Sequence, residues 1–152
     1  MSHDAKPGQI LCAGTNLKIA ARATGRLYDG ALAPFALNTM QYAILANIAQ
    51  EGRMPTMALA EKLSIERTAL YRALAVLERR GFICTEAGRG REQILSLTDT
   101  GEALRLRARV TWAVTQDAFV TAFGEDWPTF LTMLYRARAL SEAMSDSREG
   151  TQ

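Results

Sequence analysis

The sequence holds one histidine, His3, and two cysteines, Cys12 and Cys84. A single imidazole, in a segment with no apolar periodicity, excludes hydrolases that pass a proton through a serine–histidine or cysteine–histidine couple. It equally excludes zinc sites assembled from several His and Cys side chains. Two thiols are too few for a disulfide framework, and in a reducing compartment each defaults to a small buried hydrophobe. No phosphate-binding G-x-x-x-x-G-K-[ST] loop occurs, and Gly88-Arg89-Gly90 stops short of a dinucleotide fingerprint. No run approaches the roughly 18 apolar residues of a membrane span. The segment from Met1 to Gly8 lacks the basic stretch and apolar core of a secretory signal, so a cytoplasmic chain without membrane association is expected. With no His, Cys or paired carboxylates converging on one face, neither an enzyme nor a cofactor is expected.

What remains is a chain of 152 residues, 48% hydrophobic and carrying a formal charge of +2, the size of one domain with one core. Apolar residues at Ile10, Leu17, Ala20, Ala21, Leu27 and Tyr28 recur at helical spacing, predicting an amphipathic helix from Ile10 to Leu32 that Ala33-Pro34 ends. Asn38 with Gln41 forms a capping box, and Leu37 with Tyr42 a hydrophobic staple, for a second helix ending at Gly52. Thr56 is read as the cap of a short helix, Met57 to Leu63. After a tight break at Ser64-Ile65, Glu66 to Arg80 places Leu70, Ala73, Leu74 and Leu77 on one face and Thr68, Arg72, Ala75 and Arg79 on the other. Gly81 closes that helix.

The period then changes. Phe82–Glu86 and Gln93–Leu97 alternate as short strands around Gly88-Arg89-Gly90-Arg91-Glu92, predicting a β-hairpin with a basic tip. Asp99 with Glu102 is read as a capping pair for a long helix to about Phe123, and Asp126 and Pro128 open a last helix through Phe130, Leu134, Ala137, Leu140 and Met144. From Ser145 the tail is polar and expected to fray. The expected order is α-α-α-α-β-β-α-α, mainly α with a small β-hairpin.

Two short helices joined by a tight turn and followed by a hairpin describe a winged helix-turn-helix, whose second helix enters the major groove of DNA. Charge supports this: residues 62–91 hold seven basic against three acidic residues, a net +4, and the remainder is −2. A basic window on the reading helix and hairpin tip is the electrostatic footprint that DNA binding requires. With Leu70 and Leu74 committed to the core, Arg67, Thr68, Ala69, Tyr71 and Arg72 face outward. Arg72 suits bidentate contacts to guanine, Ala69 a thymine methyl and Tyr71 a phosphate. Arg79 and Arg80, at the far end, are read as a solvated face.

Thr68-Ala69-Leu70-Tyr71-Arg72-Ala73-Leu74, Leu77-Glu78-Arg79-Arg80-Gly81-Phe82-Ile83 and Leu97-Thr98-Asp99-Thr100-Gly101 together resemble the MarR family of bacterial transcriptional regulators. The resemblance spans nearly the whole chain. It implies one domain over residues 9–146, with a winged helix-turn-helix at about 38–98, dimerisation helices at about 9–33 and 99–145, and disordered tails at 1–8 and 147–152. It further implies a homodimer, a repressor bound to a pseudo-palindromic operator of double-stranded DNA. In the family's wing an Asp-x-Arg pattern sends the arginine into the minor groove. Arg91 matches that arginine, while Arg89 stands at the aspartate position, so the orienting ion pair is lost and one positive charge gained.

The resemblance also implies release from DNA by a small aromatic ligand or, in one branch, by oxidation of a cysteine near the start of the first helix. Cys12 lies in that region, and Tyr28 and Tyr42 resemble tyrosines near that branch's sensing site. Thr39 replaces a further tyrosine there, and Cys12 is offset by about two residues. Cys84, within a strand, is read as core. Trp112, Phe119, Trp127 and Phe130 are read as packing or the lining of a ligand pocket. The alternative function, an interaction module of the same fold that does not bind DNA, calls for acidic replacements of Arg72 and Arg91, and both are arginine.

Overall fold

A computed structural model describes residues 12–90 and 92–149. His3, Ile10 and Arg91 lie outside the described residues. The elements run α1 (Ala13–Leu32), α2 (Thr39–Glu51), β1 (Arg53–Pro55), α3 (Thr56–Leu63), α4 (Arg67–Arg79), β2 (Ile83–Ala87), β3 (Gln93–Leu97), α5 (Asp99–Phe123) and α6 (Trp127–Glu149), with short 3-10 turns at Ala33–Phe35 and Gly124–Asp126. The chain divides into two compact units, one ending at Thr115 and the other beginning at Gln116. Among the described residues no helix is long and apolar enough to cross a membrane.

In the first unit the sheet order is β1-β3-β2, all antiparallel, with Met54 opposite Leu95 and Thr85 opposite Leu95 on the other side. The strand β1 corrects the expected element order. Its three residues, Arg53-Met54-Pro55, carry no alternation long enough to register in the sequence and pair with residues some forty positions downstream. Its presence also moves the start of α3. Thr56 is not a cap: Pro55 holds the N-cap position, and buried Thr56 donates its hydroxyl to the Gln93 carbonyl at 3.2 Å, joining α3 to β3.

The core is built by α2, α3, α4 and the sheet, with Leu32, Ile44, Leu45, Ile48, Leu59 and Leu95 fully enclosed. On α4 the inward stripe is Leu70, Leu74 and Leu77. Each buried leucine contributes roughly 1.5–3 kcal/mol, so this stripe fixes which face of α4 turns outward. The Asn38–Gln41 capping box forms as expected, with the Gln41 amide 2.8 Å from Asn38 Oδ1 and the Asn38 amide 3.1 Å from Gln41 Oε1. Asp29, near the end of α1, accepts from the Thr39 amide and hydroxyl at 2.7 and 2.6 Å and so anchors the start of α2.

A joint holds α4, the hairpin and α5 together. Gly81 leaves α4 at φ +74°, and the Phe82 amide returns to the Leu77 carbonyl at 3.0 Å. The Gly81 carbonyl then accepts the hydroxyls of Thr98 at 2.6 Å and Thr100 at 2.9 Å. Thr98 Oγ1 in turn accepts from the Gly101 amide at 3.0 Å, so Thr98, and not Asp99, caps α5, and Asp99 is its first residue. Both are good capping types one position apart, which is why the sequence misplaces the boundary.

The flanking helices leave apolar side chains uncovered at α1 and run longer than expected at α6. On α1 only Tyr28 and Leu32 are buried, and Leu17, Ile19 and Leu27 are exposed. On α6 the helix continues to Glu149, past the expected fraying point at Ser145 and into the tail expected to be disordered. In the second unit Phe119, Phe123, Trp127 and Phe130 form one ring cluster, with Phe123 and Phe130 stacked at 4.5 Å.

Candidate nucleic-acid interface

The outward face of α4 presents Arg67, Thr68, Ala69, Tyr71 and Arg72, all exposed as the sequence predicts. Among the described residues neither Arg67 nor Arg72 takes part in a salt bridge. Arg67 lies over the Tyr71 ring, 5.7 Å from its centre. This contact lends the guanidinium a preferred direction without neutralising it. Tyr71 also borders a groove between α4 and the hairpin, lined by Leu74, Ala75, Glu78, Thr85 and Gln93.

The start of α4 holds a residue that the sequence reading passed over. Glu66 is the N-cap, and its Oε2 accepts from the amides of Thr68 at 2.8 Å and Ala69 at 3.2 Å. Thr68 donates its hydroxyl to the other carboxylate oxygen at 3.3 Å. Glutamate is an uncommon N-cap, and its usual place in a capping box is three residues later. The sequence carried little signal for it, because Ser64 and Thr68, both better capping types, stand on either side.

At the hairpin tip the Gly88 amide donates to the Glu92 carbonyl at 2.9 Å and the Glu92 amide to the Arg89 carbonyl at 3.2 Å. Gly90 takes φ +66°, which glycine adopts without strain. Arg89 is exposed and has no salt bridge among the described residues. Across the sheet Arg53 of β1 pairs with Glu86 of β2 at 2.6 Å, and Lys62 of α3 pairs with Glu51 of α2 at 2.7 Å. Arg67, Arg72 and Arg89 thus keep their charge unneutralised by any salt bridge among the described residues, at the reading helix and at the tip.

Arg80 departs from the solvated reading. It is half-buried, and its guanidinium donates to the carbonyls of Ala36 at 2.6 Å and Phe35 at 3.4 Å while lying over the Phe82 ring at 4.7 Å. It clamps the end of α4 to the corner between α1 and α2. Arg79 is exposed, as expected.

Within one chain Cys12 stands far from Tyr28. Cys12 is exposed at the N-cap of α1, whereas Tyr28 is buried sixteen residues along the same helix, roughly 24 Å away at the helical rise. Tyr42 is buried against Trp112, ring centres 5.6 Å apart. Burial pushes its hydroxyl above the ordinary phenol value, opposed by the guanidinium charges of Arg105 and Arg109. Burial likewise raises Tyr28. Cys84 is half-buried, not core, with Sγ 3.0 Å from Ser96 Oγ.

Hydrogen bonds from the Thr15 backbone and hydroxyl and from the Gly14 backbone hold the Cys12 thiol below its ordinary value, with a smaller contribution from Lys18. The depressed value enlarges the thiolate fraction at neutral pH. Alkylation of Cys12 by iodoacetamide is accordingly expected to reach half its maximal rate at a pH below that of a free thiol. A profile coinciding with the free thiol's counts against an activated Cys12.

A profile described as the MarR family matches residues 37–85. The chain is similar in structure to the M. tuberculosis transcriptional regulator MosR in complex with DNA, at 34% identity and a TM-score of 0.80, covering 88% of this chain and 98% of that one. It is similar also to a mutant E. coli MarR complexed with operator DNA, at 18% identity, TM-score 0.74, and 88% and 98% coverage. A third match is PcaV of Streptomyces coelicolor in complex with its natural ligand, at 21% identity, TM-score 0.70, and 86% and 96% coverage. No curated protein sequence matches the chain.

Proposed function

The chain belongs to the MarR family and is a DNA-binding transcriptional regulator, and from that premise we propose that it is a homodimeric repressor of a pseudo-palindromic operator. The fold points to a non-enzymatic regulator. The observation that carries the reading is the coincidence of unpaired cations, Arg67, Arg72 and Arg89, with the exposed face of α4 and the wing tip. Phosphate contacts supply sequence-independent affinity, and base contacts from α4 supply selectivity. Arg67, Thr68, Ala69, Tyr71 and Arg72 are assigned to the major groove, and Arg89 and Arg91 to the wing contact. The homodimer is supported by the apolar side chains that the flanking helices leave exposed, among them Leu17, Ile19, Val110 and Val114. Release by a small aromatic ligand is part of the proposal, and PcaV, a fold-mate in complex with its natural ligand, supports a ligand as effector. Release by oxidation rests on the exposed, activated Cys12. Peroxide treatment that leaves DNA affinity unaltered excludes the oxidative route.

The test is fluorescence anisotropy with the intergenic DNA beside the protein's own gene and with an unrelated duplex, at two salt concentrations. Specific complexes exceed non-specific ones by roughly a thousandfold or more. Equal binding to both duplexes counts against the operator. Absent binding at both salts overturns the reading. Arg72→Ala is expected to cost about 1–3 kcal/mol on the operator and to relax discrimination at one base pair. Arg89→Ala is expected to weaken both duplexes alike and to lower the salt slope by about one. The reverse pattern would exchange their assignments.

A further inference from the structure

We propose that Glu66 is a specificity-determining residue, whose carboxylate, folded onto the backbone of α4, keeps DNA phosphates off the start of the reading helix and so lowers affinity for unrelated duplexes more than for the operator. The inference rests on the DNA-binding reading above and adds a residue that acts against binding.

The first amides of a helix and its dipole attract anions, and a DNA backbone offers a phosphate at every step. At the start of α4 that attraction is already answered from within the chain. The amides of Thr68 and Ala69 and the hydroxyl of Thr68 all donate to Glu66. A phosphate arriving there meets satisfied donors and a negative charge.

That charge is not cancelled locally. Glu66 is exposed, and among the described residues no salt bridge reaches it. Its neighbour Arg67 is turned over the Tyr71 ring, and the nearby Lys62 is paired with Glu51. The reading head therefore carries an acid at its leading end and cations, Arg72 and Arg89, further along the helix and on the wing.

On an unrelated duplex, where binding comes from phosphates alone, the carboxylate acts only as a repulsion. On the operator the helix sits at base edges, where a carboxylate accepts from a cytosine amino group, and the same charge costs less or contributes. A difference in affinity between the two duplexes is what specificity means.

Two variants separate this role from simple capping. Glu66→Ser keeps a favoured cap without the charge, and Glu66→Gln keeps the size. Anisotropy titrations with the operator-bearing duplex and an unrelated duplex, over several salt concentrations, read the outcome, with melting temperatures confirming that both variants fold. The expected result is unrelated-duplex affinity raised about tenfold in both variants, a salt slope steeper by about one, and a smaller operator preference. Unrelated-duplex affinity that stays unchanged or falls overturns the proposal, as does tightening by one factor on both duplexes. If the wild-type protein binds neither duplex, the DNA-binding reading itself falls, an outcome separate from failure of the variants.

Discussion

Gly101→Ala is expected to lower the melting temperature by roughly 10 °C or more and to abolish operator binding at concentrations where the wild type is saturated. A Cβ at position 101 would stand 1.9 Å from the Phe82 carbonyl oxygen and 2.8 Å from its carbon. Both are backbone atoms, so no rotamer change relieves the overlap. Phe82 is held on one side by the turn closing α4 and on the other by the Thr98 amide, which donates to its carbonyl at 3.1 Å. To make room, α5 must move off the hairpin, breaking the bonds from Thr98 and Thr100 to Gly81. The loss, about 3 kcal/mol or more, combines overpacking with a broken capping network. Gly30→Ala is the control: it lies inside α1 with open space where its Cβ would go, and the exchange is expected to leave stability unchanged or raise it. Thermal unfolding of the two variants side by side decides the matter. A Gly101→Ala protein that melts like the wild type would mean that the joint is looser than its geometry.

The second large effect concerns assembly. On α5 the residues Leu106, Val110 and Val114 repeat at i, i+4 and i+8, and the two valines are each 67% exposed. Solvent gains nothing from an apolar stripe of this kind, and a second copy covering it gains roughly 25 cal/mol for each Å² removed from water. Val110→Asp combined with Val114→Asp is expected to yield a folded monomer, because neither side chain serves the core of its own chain. Two half-sites bound by one dimer exceed a single domain's affinity by about a hundredfold to ten-thousandfold, so operator affinity should fall by at least the lower figure. Sedimentation or light scattering reads the mass and anisotropy reads the affinity. A double variant that remains dimeric, or a monomer that keeps full affinity, places the assembly surface elsewhere or removes the need for it.

Much of this architecture is local, and for that reason the sequence reveals it. The capping box of Asn38 and Gln41, the inward leucines of α4 and the break at Gly81 each depend on residues within one or two helical turns. What stays hidden depends on distant partners. The strand β1 has meaning only against β3, and Thr56 looks like a cap until its hydroxyl is seen on Gln93. Arg80 reads as surface because the carbonyls it holds, at Phe35 and Ala36, are over forty residues away. The exposure of Arg67, Thr68, Ala69, Tyr71 and Arg72 on α4 was legible, since burying Leu70, Leu74 and Leu77 turns them outward. The acid of α4 was not, because Glu66 caps by a route that propensity disfavours.

The Leu-Glu-Arg-Arg-Gly and Leu-Thr-x-x-Gly segments, sixteen residues apart in sequence, turn out to be two halves of one piece of carpentry. Gly81 supplies the carbonyl, Thr98 and Thr100 the hydroxyls, and Gly101 the space. Their joint recurrence in a sequence therefore reports a single physical contact.

The edge strand β1 has a consequence for how copies of the chain meet. Three residues long and ending in Pro55, whose nitrogen has no hydrogen to donate, it offers an incoming strand almost no template. Open-ended growth of sheet on sheet is thereby discouraged along that edge, while the apolar helices still favour association. At that edge self-recognition is steered toward helical contacts, which close on themselves in a pair, and away from fibres, which have no last member.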